Sequence, residues 1–174
     1  MREILYKGFH KDENGTEKIF VDGKWVKGEW VYGYYIRYGW THQEKDYIVP
    51  LYASALYAKE VIPSTIGQYT GLTDKYGKKI FEGDILHFKA YRGGGFACPI
   101  GTDIYYRVLF GHCNPDMNTL TEYVGFWALG KNYDEDDLYE YGNSISYLVD
   151  SHGACVIGNI HDNPELLERS DNND

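Results

Sequence analysis

Cysteine is scarce in this chain: there are three, Cys98, Cys113 and Cys155, an odd number with no close pair among them. That usage argues against a disulfide framework of the kind that staples small secreted domains and suits a reducing compartment. Long apolar runs are missing as well. No stretch approaches the roughly 20 residues that cross a bilayer as a helix, and the opening Met1-Arg2-Glu3-Ile4-Leu5-Tyr6 lacks the apolar core of a signal peptide. No membrane partner is expected, and the cytoplasm is the expected location. Cationic charge is also short, since 17 Lys and Arg against 26 Asp and Glu leave a formal net charge of −9. Non-specific attraction to nucleic acid rests on cations displacing the counterions of the phosphate backbone, so attraction across the whole surface is disfavoured.

What the chain has in excess is aromatic side chain: 18 Tyr, 7 Phe and 4 Trp make up 17% of it. Aromatic residues fit pleated, half-buried surfaces, which points to sheet. Tyrosine joins an apolar ring to a polar tip and so suits partly wet interfaces. A hydrophobic share of 43% and a charged share of 25% belong to an ordinary folded chain, and 174 residues fit one domain or one with a small appendage.

The first forty residues read as a β-meander: strands at 4–9, 19–21, 25–26 and 30–38, with turns at Asn14-Gly15 and Asp22-Gly23. Asp-Gly is a strong hairpin signal because both central positions of a type I′ turn need positive φ. Periodicity weakens from 41 to 64, where residues 51–57 suit a short strand or a single helical turn. A further hairpin is expected around Asp74-Lys75-Tyr76-Gly77, after which Glu82-Gly83-Asp84 turns the chain into a strand at 85–89. Period-two alternation there makes Leu86 and Phe88 core candidates and sets Ile85, His87 and Lys89 on the opposite face. More strands are expected at 105–110, 124–129, 145–149 and 155–160. A short helix is expected at 163–168, with Asn163 as cap, Pro164 in the first helical position and Glu165 at the positive end of the dipole. The fold class is mainly β, a small antiparallel barrel or sandwich with SH3-like character as one form of it, an N-terminal meander and a short C-terminal helix. Residues 1–62 are read as meander and linker, 63–169 as the β core with its helix, and 170–174 as a frayed tail.

Several segments carry a family resemblance. They are Met1-Arg2-Glu3-Ile4, Trp30-Val31-Tyr32-Gly33-Tyr34, Ile66-Gly67-Gln68-Tyr69-Thr70-Gly71-Leu72, Gly77-Lys78-Lys79-Ile80-Phe81-Glu82-Gly83-Asp84-Ile85, and Val156-Ile157-Gly158-Asn159-Ile160 followed by Asn163-Pro164-Glu165-Leu166. In these the chain resembles the YopX family of bacteriophage and prophage proteins. The resemblance implies a phage-encoded protein with a largely β core and no characterised activity. It supplies no catalytic residue.

Beside it, Gly67, Gly71, Gly83 and Asp84 read as a structural turn motif: the glycines suit bends and close backbone approach, and a short carboxylate can hold a turn by accepting nearby N–H groups. His87, Cys98, His112, Cys113, Cys155 and His161 are of zinc-ligating type, but they lack the close pairing of structural zinc sites. Asp134-Glu135-Asp136-Asp137 lacks the alternation and mid-loop Gly of a calcium loop and reads as a solvated acidic loop. Asp150-Ser151-His152 holds the residue types of a hydrolytic triad, yet three consecutive side chains do not make that geometry, and the run reads as a turn. Glu82 and Asp84 flank a glycine in a tight turn, and Gly93-Gly94-Gly95 is not followed by the helix of a phosphate loop. No catalytic residue, metal or cofactor is expected, and the chain is read as non-enzymatic.

Trp25, Trp30, Tyr32, Tyr34 and Trp40 form the candidate interaction surface. The expected partner is a second copy, giving a homo-oligomer, or a host or phage protein. Nucleic acid is the less favoured alternative, with Lys75, Lys78, Lys79, Lys89 and Arg92 as the cations of a small-barrel groove.

Overall fold

The structure is a computed structural model and describes residues 3–39, 43–91, 99–113 and 123–168. The chain divides into two compact units, Met1–Gly71 and Leu72–Asp174. Residues 63–71 lie with the first unit, because part of that stretch hydrogen-bonds to its sheet.

In the first unit the strands are β1 (Tyr6–Lys11), β2 (Glu17–Val21), β3 (Lys24–Tyr38), β4 (Lys45–Pro50), the two-residue β5 (Lys59–Glu60) and β6 (Gly67–Thr73), which runs across the division. The hairpin between β2 and β3 forms where Asp-Gly placed it, with Asp22 at φ 49° and Gly23 at φ 76°. The two aromatic strands expected at 25–26 and 30–38 are one continuous strand of 15 residues. It is held throughout by changing partners: β2 pairs Lys24 to Gly28, β1 pairs Gly28 to Gly33, and β4 pairs Gly33 to Tyr38. A glycine stands at each handover, where the strand is flanked on both sides. A Cβ on Gly28 would run into the His10 carbonyl oxygen, and one on Gly33 into that of Val49.

The strand order is β5-β4-β3-β1-β6, with β2 also on β3. Unbroken registers between β1 and β3 put alternate residues on opposite faces, and each face has its own apolar cluster. Phe9, Ile19, Val21 and Val26 pack with Trp30 on one face, and Val31, Ile48 and Val61 pack with Tyr6 on the other. Thr65 ties the β5–β6 connection to β1, since its hydroxyl oxygen accepts the Phe9 N–H at 2.9 Å and donates to the Ile62 carbonyl at 2.7 Å. In the weakly patterned stretch, β4 and β5 are strands the sequence did not announce, and Ala55–Tyr57 is a single 3-10 turn.

The second unit holds β7 (Lys79–Phe81), β8 (Asp84–Lys89), β9 (Asp103–Cys113), β10 (Tyr123–Gly130) and β11 (Cys155–Asn159), with α1 (Leu138–Tyr141) and α2 (Ile145–His152). Its main sheet is antiparallel in the order β10-β9-β8-β11. Leu86 and Phe88 are buried, as alternation required, in a cluster with Ile80, Tyr106, Val108, Ile145, Leu148 and Val156. Ile85, on the face assigned to His87 and Lys89, is fully buried too. Both sheets are open and neither closes into a barrel.

Residues 145–149 correct the expectation of a strand, because they begin helix α2. The Ser144 hydroxyl accepts the Tyr147 N–H at its start, and Gly153, at φ 65°, donates to the Leu148 and Val149 carbonyls at its end. A short, largely apolar segment suits either period, and here the caps decide. Asp150-Ser151-His152 is accordingly the last turn of α2 and not a free turn. At the C terminus, Pro164–Leu167 is a 3-10 turn, and Asn163 makes no capping bond. No helix among the described residues is long and apolar enough to cross a membrane.

Candidate interaction surface

Even-numbered residues of β3 share the face of Val26 and Phe9. At the start of the strand that face is covered, and Trp30 packs edge-on against its cross-strand neighbour Phe9 with ring centroids 5.4 Å apart. The Lys7 ammonium lies 5.1 Å from the Trp30 ring centroid, a cation–π geometry. Beyond Trp30 the cover ends. Tyr32, Tyr34, Ile36 and Tyr38 follow on the same face, with Tyr34 55% and Tyr38 61% exposed. Val49 and Tyr47 stand opposite Tyr34 and Ile36 on β4 and widen the stripe.

The five residues singled out from the sequence therefore do not share one face. Trp30, Tyr32 and Tyr34 do. Trp25 is of opposite parity and points to the other side of the sheet, where it packs against Phe20. Trp40 lies outside the described residues. Ile36, Tyr38, Tyr47 and Val49 complete the stripe, and β4's contribution was illegible because the strand itself was.

On the reverse face, sequence reading missed a polar cluster. Asp46 is buried and accepts the Tyr35 hydroxyl at 2.5 Å and the Arg37 Nε–H at 2.9 Å. Hydrogen bonds from Arg37 and then Tyr35 hold the Asp46 carboxyl below its ordinary value, while its bond to Asp46 raises the Tyr35 phenol. The cluster joins β4 to β3 behind the aromatic stripe and fixes the strand pair that carries it.

The glycine and aspartate motif sits in turns and at strand pairings. Gly67 pairs with Lys7, Gly71 and Gly83 have φ of 87° and 79°, and Asp84 Oδ2 accepts the Phe81 N–H at 2.8 Å. Elsewhere, His87 Nε2 meets Asp103 Oδ1 at 2.7 Å, Lys89 reaches the same oxygen at 2.8 Å, and the Cys155 thiol donates to the His87 carbonyl at 3.6 Å. Among the described residues no group of three His, Cys, Asp or Glu side chains is placed to hold a metal ion. Cys98, Gly93, Gly94, Gly95 and Arg92 lie outside those residues. His152 stands among the rings of Phe88, Tyr91 and Tyr147, at centroid distances of 5.0, 5.5 and 5.0 Å. Burial lowers its imidazole from the ordinary 6.5, so the neutral form is favoured in the fold. Its stabilising contribution is complete above about pH 6.5 and is lost as pH falls through the lower folded value. The thermal midpoint of the second unit should therefore drop on acidification through this range, by less in His152→Phe than in the parent.

Residues 14–93 match the model of the family described as YopX protein. The chain is similar to the YopX family over this segment. The segment contains β2, β3 and β4 with the aromatic stripe, the Asp74 hairpin and the Glu82-Gly83-Asp84 turn, while the resembling stretches at 1–4 and 156–166 fall outside it. Among solved structures the chain is similar to the crystal structure of protein EF1440 from Enterococcus faecalis, at 18% identity and a TM-score of 0.39, over 97% of this chain and 100% of that one. No curated protein matches.

Proposed function

We propose that this YopX-type protein is a non-enzymatic phage or prophage accessory protein, working in the host cytoplasm, that acts by self-association or protein binding through the β3–β4 stripe. The observation that carries this reading is the row Tyr32, Tyr34, Ile36 and Tyr38, in register on one face and uncovered. Large amphipathic rings on a rigid strand give contact area at little entropic cost, and tyrosine is enriched among residues that dominate interface energy. The buried Asp46 cluster behind them keeps the row pre-formed. A second copy is the occupant tested first.

Light scattering after gel filtration should give a defined homo-oligomer at micromolar concentration. Tyr34→Ala should weaken assembly by about 10-fold to 30-fold, as expected for an interface anchor worth about 1.4 to 2 kcal/mol. A clean monomer at all concentrations would count against self-association and leave the protein-binding form, to be tested by pull-down with the same variant.

A further inference from the structure

The opposite face of the β2–β3 hairpin differs from the tyrosine stripe in chemistry. Phe20 and Trp25 are directly opposed across the hairpin, with ring centroids 5.5 Å apart, and Trp25 is 59% exposed. The next pair along the same face is Lys18 opposite Lys27. Like charges directly opposed across two strands oppose pairing, so this arrangement does not serve the hairpin's own stability. The nearby carboxylates Glu17, Glu29 and Asp12 are engaged elsewhere, with the Trp30 N–H, Lys59 and the Asn14 N–H respectively. Among the described residues no carboxylate forms an ion pair with Lys18 or Lys27.

We infer that this face of the hairpin binds single-stranded nucleic acid, with bases stacking on Trp25 and Phe20 and backbone phosphates lying over Lys18 and Lys27. Every base has a π-face, so stacking tolerates sequence, and a strand's charge repeat supplies the anions that two adjacent ammonium groups need. An aromatic pair beside unpaired lysines fits a ligand that is both planar and polyanionic, where an acidic peptide would use the lysines alone. The net charge of −9 confines such binding to this patch and makes it weak and salt-sensitive. The patch is independent of the β3–β4 stripe, which lies on the other face.

The test is fluorescence anisotropy of the intact chain with a labelled oligothymidine of about 12 nucleotides, over roughly 50 to 200 mM salt. Binding should weaken with salt, and Trp25→Ala should lower affinity between about 5-fold and 100-fold, with Trp25→Phe retaining most of it. The double change Lys18→Gln and Lys27→Gln should flatten the plot of log affinity against log salt by about 1.4, or 0.7 for each phosphate no longer neutralised. All these side chains are exposed, so circular dichroism should stay unchanged and any fall in affinity reports on binding. No binding at low salt, or an affinity and salt slope indifferent to these changes, would overturn the inference. So would equal competition by polyglutamate, which offers charge without bases. Oligomeric state measured on the same variants separates this outcome from the fate of the stripe, since Trp25→Ala should leave assembly intact.

Discussion

Asp74→Ala is expected to destabilise the second unit by about 3–5 kcal/mol, seen as a lower urea midpoint with little change in slope. Asp74 is only 5% exposed and accepts three backbone N–H groups: Tyr76 at 2.8 Å and Lys78 at 2.9 Å on Oδ1, and Val156 at 3.0 Å on Oδ2. The first two close the turn between β6 and β7, and the third ties that turn to β11, 82 positions along the chain. Removing the carboxylate strands three donors, each costing about 1–3 kcal/mol if it stays buried. Asp74→Asn should fall between, because its one carbonyl oxygen can keep the turn bonds while its amide faces the Val156 N–H as a second donor. Burial raises the Asp74 carboxyl, but the N–H groups of Val156, Lys78 and Tyr76 outweigh it, and the group lies below its ordinary 3.8. A folded value below the unfolded one means that the stabilisation is complete above about pH 3.8 and is lost as pH falls through the folded value. The gap between parent and Asp74→Ala should therefore narrow in acid, and a gap constant down to about pH 2 would show that the charge contributes nothing.

Gly33→Ala is expected to cost about 3 kcal/mol, at the upper end of overpacking, and to disturb β3 and β4 together. Its added Cβ would meet the Val49 carbonyl oxygen and, at 3.0 Å, the Pro50 Cα. Those are backbone atoms of the paired strand, so relief requires the two strands to move apart where β3 passes from β1 to β4. Gly23→Ala makes the useful comparison: nothing lies within 4 Å of its Cβ, and only the φ of 76° opposes it. That conformational cost is about 1–2 kcal/mol for a residue with a side chain. If Gly33→Ala is no worse than Gly23→Ala under the same denaturation assay, the close approach at Gly33 is not a constraint on the sheet. Because Tyr32 and Tyr34 flank Gly33, a destabilised handover should also weaken assembly if the stripe is the contact.

The two positions differ in how far they could be read in advance. Gly23 follows Asp22 in a dipeptide whose turn type is dictated locally, so the hairpin and its left-handed residues were legible. Gly33 looks, in sequence, like a weak point in an aromatic run. Only the pairing of β3 with a neighbour on each side shows why a side chain is excluded there. Asp74 was legible as a turn residue, but its bond to Val156 was not, since no local pattern connects residues so far apart. Likewise Leu86 and Phe88 follow from period two, whereas Ile85 is buried by contacts that alternation does not encode. The largely apolar segment at 145–149 satisfied strand and helix templates equally, and the bonds of Ser144 and Gly153 settled it.

By itself the sequence determined what short-range sterics and composition control: a mainly β chain rich in tyrosine, its tight turns, the alternating strand after Gly83 and the family segment they mark. Tertiary structure alone decided which strands pair beyond the local hairpins, and so which distant side chains share a face. Parity within β3 puts Tyr32 and Tyr34 together and sends Trp25 to the opposite side, while the register with β4 brings Asp46 beneath Tyr35 and Arg37. The physical reason is that hydrogen bonding between distant strands fixes register through the summed burial of both faces, a quantity that no window of neighbouring residues contains.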